Sequence, residues 1–123
     1  KMFDVIDKST LKPGDVVGIR MKTQIRWGFF RYPKTIPLTI ERITPARTKF
    51  VMTNGAEFGR NDIFYPVTAE TNHRTHVAKC AEKISSSLMA LERLQRDGKL
   101  FSQDDDFIVK CAERLEQILH EVV

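Results

Sequence analysis

All five prolines, at positions 13, 33, 37, 45 and 66, lie before residue 67, as do five of the six glycines. Proline removes a backbone donor and breaks a helix interior. The first half is therefore read as strands and turns, and the second half is free to be helical. The apolar pattern changes at the same place, from a period of two to a heptad spacing. Two parts are expected, residues 1–67 and 68–123.

Lys12-Pro13-Gly14-Asp15 reads as a turn, with Pro presetting φ and Gly supplying the positive φ of a type II turn. Val17, Ile19, Met21, Ile25, Trp27 and Phe29 follow on one parity; Arg20, Lys22, Gln24 and Arg26 fall on the other. That alternation predicts a half-buried strand or a hairpin made from it, with Ile25, Trp27 and Phe29 on the core side. Pro33 and Pro37 are expected to bracket a loop. Leu38–Ile43 and Thr48–Thr53 read as strands around a turn at Thr44–Arg47. Asn54-Gly55 predicts a type I′ hairpin turn, and Ile63–Val67 a short closing strand. A sheet this small must close or cover itself to bury its apolar face. An SH3-like, partly open barrel is the economical solution.

Leu11-Lys12-Pro13-Gly14-Asp15-Val16-Val17 resembles the opening of SH3-like barrels, including the KOW type, where a Gly-Asp turn precedes the first strand. The stretch Ile40–Thr44, Thr48–Phe50 and Asn54–Phe58 is similar to a pattern in small phage and mobile-element proteins. The resemblance covers about residues 11–66 and implies a fold without implying a chemistry.

In the second half, Val77, Ala81, Ile84, Leu88 and Leu91 step by heptads, as do Ile108, Cys111, Leu115, Ile118 and Val122. Gly98 should end the first helix as a left-handed cap. Ser102 should cap the second, with Asp104, Asp105 and Asp106 in its positive first turn. The expected fold is α+β: an N-terminal SH3-like small β-barrel followed by a C-terminal antiparallel αα-hairpin. That hairpin either packs on the barrel or forms a homodimer interface, with the seam as core.

Charge is segregated too. Residues 1–66 hold 12 Lys/Arg and 6 Asp/Glu, and residues 67–123 hold 8 and 10. The basic first half hints at DNA, RNA or an acidic protein surface as partner. Eight of the eleven aromatic residues fall within residues 27–65, interleaved with cations. Small barrels that bind single strands combine aromatic platforms with flanking cations. The candidate binding residues are Arg20, Lys22, Arg26, Phe30, Arg31, Tyr32, Lys34, Arg47, Lys49 and Arg60, with Arg42 on the same face. Phe30, Tyr32 and Tyr65 are the rings expected outside the core. Arg20, Lys22 and Arg26, on one strand parity, are expected to share one side.

No nucleophile elbow, P-loop or glycine-rich phosphate cradle occurs, so catalysis and cofactors are not expected. His76, Cys80 and His120 have ligand types suited to zinc; ordinary helix-end roles explain them better, since no CxxC or HExxH pair accompanies them, and no metal is expected. Two cysteines are too few for a disulfide scaffold, and both are expected as buried thiols. No apolar run approaches the length of a membrane span. Met2 is expected to be the natural start, and the acid Asp4 inside the first apolar cluster argues against an export signal. The expected location is the cytoplasm. The expected function is non-enzymatic binding of a host protein, as a phage-type inhibitor or accessory factor; the alternative is nucleic-acid binding through the basic barrel face.

Overall fold

The computed structural model describes residues 5–123. The readings of Met2 and Asp4 lie outside that range. The chain is α+β: a curled four-stranded antiparallel half-barrel followed by two helices. The strands β1 (Val16–Met21), β2 (Lys34–Ile43), β3 (Lys49–Met52) and β4 (Glu57–Gly59) pair in chain order. A single 3-10 turn, Lys8–Thr10, precedes them.

β2 carries the curl. Its first half pairs with β1, and Ile40 to Ile43 pair with β3, with a register shift between Ile40 and Arg42. Such an irregularity bends a strand and increases its twist. Beyond β4 the chain crosses to the far side of β1, where Tyr65 bridges Gly18. Gly18 donates its N–H to the Tyr65 carbonyl at 2.6 Å and accepts the Tyr65 N–H at 2.9 Å. Glycine is required there by space: a Cβ would stand 2.8 Å from the Tyr65 carbonyl oxygen and would overlap the Thr35 methyl. The expected closing segment at 63–67 is thus a one-residue bridge.

The core lies inside the curl, built from Leu11, Val17, Ile40, Phe50, Met52 and Phe64. Phe64 meets Phe50 and Phe58 edge to face, with ring centroids 5.3 and 5.8 Å apart, a geometry the ring quadrupoles favour.

Three local expectations are corrected. Pro37 does not end a loop; it lies within β2, opposite Gly18. Gly18 spends its backbone groups on Tyr65, so Pro37 occupies a non-hydrogen-bonded position facing away from β1. β3 reaches only Ile40 to Ile43, so no neighbour there asks Pro37 for a donor. The Asn54-Gly55 turn is not type I′. Gly55 has φ 90°, but Arg47 is the only described non-glycine residue with positive φ. Gly55 N–H bonds to Met52 and Met52 N–H to Ala56, at 2.9 and 2.8 Å. This is a turn followed by a left-handed glycine bulge, fixed by Asn54 Oδ1 accepting the Ala56 N–H at 3.0 Å. Lys12–Asp15 forms the expected turn, with Gly14 at φ 94°.

The helices are α1 (Ala69–Arg96) and α2 (Asp105–Val122). Gly98, at φ 77°, lies just past the end of α1 as expected. The cap of α2 is Asp104, whose Oδ1 accepts the Phe107 N–H at 2.8 Å; Ser102 bonds to the Lys99 carbonyl instead. The chain divides into two compact units, Lys1–Ile84 and Ser85–Val123, with the division inside α1. The heptad seam is not a buried core in this single chain: no residue from Lys79 to Val123 is buried. Leu88 is 57% exposed and Ile118 55%. Two amphipathic helices of this size offer too few neighbours to enclose their apolar stripes. Cys111 is half-buried and Cys80 exposed, which corrects the expectation of two buried thiols; both are free.

Candidate functional site: a braced loop of cations and exposed rings

β1 ends at Met21 and β2 begins at Lys34. The segment between them is a loop, so the strand parity expected for Lys22 and Arg26 does not continue, and they do not share a strand face with Arg20. The expected core side is overturned as well: Trp27 is 78% exposed and Phe29 86%, and Ile25 is only half-buried. Phe30, Tyr32 and Tyr65, expected outside, are half-buried. Gly28, at φ 72°, turns the chain between Trp27 and Phe29.

Each ring carries a cation. Lys22 lies 4.8 Å from the Phe29 centroid and Arg26 5.2 Å from that of Trp27. Arg31 lies between Phe30 and Tyr32, 5.3 and 5.1 Å from their centroids. Those two rings meet edge to face at 5.9 Å, and Arg74 of α1 approaches Tyr32 at 5.3 Å. These distances are within cation–π range. Residues 16–40 hold five Lys/Arg and no Asp or Glu, so no acid of this segment offsets its field.

The base of the loop is braced by the first half of α1. Thr23 is buried and donates its hydroxyl to the Tyr32 carbonyl at 2.5 Å. Gln24 donates its N–H to Glu82 Oε2 at 2.7 Å, and Lys34 pairs with the same oxygen at 2.8 Å. Thr75 accepts the Thr35 N–H at 2.8 Å and donates to the Thr35 carbonyl at 3.3 Å. The Lys34 ammonium, and then the Gln24 N–H, hold the Glu82 carboxyl below its ordinary value of 4.5. A carboxylate with a lowered pKa stabilises the fold above its unfolded value, and that stability is lost as pH falls through the folded one. Acidification below about pH 4.5 is therefore expected to release the loop base. The check is the Gln24 amide resonance: it should titrate with a midpoint below 4.5, and Glu82→Gln should abolish that titration.

The remaining candidates are scattered. Arg20, at the end of β1, stacks 4.0 Å from the Tyr65 centroid. Its Nε is buried with no partner among the described residues. Beside it opens a cleft of about 340 Å³ lined by Ile19, Arg20, Phe58, Asn61, Asp62, Ile63 and Tyr65. Lys34 is spent on Glu82. Arg47 bonds to the Lys8 and Leu11 carbonyls at 2.6 and 2.8 Å, clamping the 3-10 turn. Lys49 pairs with Glu57 at 3.7 Å. Arg42 and Arg60 are exposed and away from the loop in sequence. Lys22, Arg26, Phe30, Arg31 and Tyr32 are thus the candidates that share one element. His76 and Cys80 approach to 3.7 Å, and no group of three potential metal ligands is gathered among the described residues.

Sequence reasoning missed Trp27 and Phe29 as surface residues, and Thr75 and Glu82 as the brace. For the rings a signal was present: Gly28 interrupts the alternation, and an isolated glycine in a strand pattern marks a break. For the brace there was none, because the contacts join residues about forty to sixty positions apart. No protein family, curated protein or solved structure was found to match the chain.

Proposed function

We propose that this chain is a non-enzymatic binding protein that takes single-stranded nucleic acid on the 22–33 loop. Its sheet is read as an SH3-like barrel whose fifth strand has shrunk to Tyr65, and its helices as an antiparallel hairpin. The observation that carries the functional reading is the exposure of Trp27 and Phe29, each with a cation nearby, on an acid-free segment. A barrel of this size needs most of its rings inside, yet these two are outside. An exposed ring offers a platform on which any base can stack, and Lys22, Arg26 and Arg31 supply the charge that follows the phosphates.

A protein partner is the second reading. Trp and Arg dominate interface hot spots, and Trp27 beside Arg26 has that composition. This is the host-protein reading, with inhibition or accessory action as its outcome.

The test is fluorescence anisotropy with labelled single- and double-stranded oligonucleotides at low and moderate salt. Binding should favour single strands and fall steeply with salt. Trp27→Ala and Phe29→Ala should each weaken it by about 5- to 150-fold, the equivalent of 1–3 kcal/mol per stacked base. Trp27 is the only tryptophan, so quenching of its emission reports stacking directly. No binding to any probe at low salt would remove this reading and leave the protein partner.

A further inference from the structure

We infer that the apolar face of the Ser85–Val123 unit is covered by a second copy of this chain. No residue in this unit is buried. An isolated segment of about 40 residues without a core needs oligomerisation, a metal or disulfides to be stable, and its one cysteine is free. On α2 the large apolar positions other than Val109 fall on one broad face. Phe107, Leu115, Ile118, Leu119 and Val122 are there, between 39% and 80% exposed. Leu88 adds to the open surface from α1, at 57%.

The heptad step names the occupant as helical. Seams repeating at three and four residues are matched by other helices through knobs-into-holes packing. Two copies of a two-helix unit make a four-helix bundle, which buries such seams around a common axis. The area suffices. Six large side chains at this exposure supply on the order of 600 Å² of apolar surface, and a homodimer interface is about 65% apolar. That corresponds to roughly 900 Å² per copy, against about 800 Å² per partner in a standard stable interface. The flanks carry both signs of charge, with Asp106–Lys110 and Glu92–Arg96 pairs on the helix surfaces. Such flanks suit a partner of the same composition better than a strongly charged one.

The test is the mass in solution by light scattering and sedimentation equilibrium. At micromolar concentration the native chain should show twice its 14.2 kDa. Ile118→Asp with Leu119→Asp should weaken association at least 100-fold, with the amide resonances of Val17 and Met52 unmoved. Hydrogen exchange of the native chain supplies a reading independent of any variant: protection in α2 should rise with concentration. A native chain that stays monomeric, a dimer indifferent to the double substitution, or α2 protection that ignores concentration would each overturn the inference.

Discussion

Phe64→Ala is expected to destabilise the half-barrel by about 3–5 kcal/mol. Phe64 is fully buried, and its ring is the one that both Phe50 and Phe58 touch. Its backbone carbonyl also accepts the Ile6 N–H at 2.8 Å, so the same residue ties the N-terminal segment to the core. Truncation removes the transfer free energy of the ring and leaves a cavity that two other aromatic rings border. A small domain has about 5–15 kcal/mol in total, so the loss is a large share. The measurement is urea denaturation followed by the amide resonances of Val17 and Met52. Trp27 fluorescence is the wrong probe, because that indole is already in water. A loss under about 1 kcal/mol would mean that the Phe50 and Phe58 rings close the space unaided.

Gly18→Val is expected to cost about 3 kcal/mol or more, by overpacking. Gly18 has an ordinary strand φ, so the cost is steric rather than conformational. One side of the new Cβ meets the carbonyl of Tyr65, a residue whose backbone is held to Gly18 by two hydrogen bonds, one through each of its polar groups. The other side meets the methyl of Thr35, whose own backbone is held by Thr75. Neither neighbour is free to move. The Tyr65 bridge should open, and the Tyr65 amide should lose its exchange protection before the β2–β3 ladder does. Retained protection of that amide would show that the 64–67 segment shifts as a body at little cost.

Both effects concern features the sequence disclosed unevenly. Gly98 and the acids at the start of α2 were legible, because a helix end is set by local backbone chemistry. The cap itself moved from Ser102 to Asp104 because either side chain suits the role, and only the path of the chain decides between them. Asn54-Gly55 marked a hairpin correctly. Its type differed because Asn54 spends its side chain on Ala56 N–H and keeps a negative φ. The alternation from Val17 onward marked a strand that does run to Met21, but its burial pattern already fails there, with Met21 51% exposed and Arg20 half-buried, and it was misleading beyond that point. Trp27 and Phe29 look like core residues by hydrophobicity, but their positions depend on where α1 braces the loop. Of the candidate cations, Lys34 and Arg47 were chosen by charge, and the fold uses both internally. Composition does not separate a structural cation from a free one.

Pro37 has a consequence for how the protein behaves in a crowded solution. On the side facing away from β1, the first half of β2 lies beyond the reach of β3, and a strand margin of that kind invites pairing with any extended chain that drifts past. At Thr35 both backbone groups are already taken by Thr75. At Pro37 there is no hydrogen to offer. A foreign strand laid along this margin would find both Thr35 groups occupied and only an acceptor at Pro37, which disfavours extension of the sheet there. The proline that looked like a loop marker thus helps keep the strand from recruiting others.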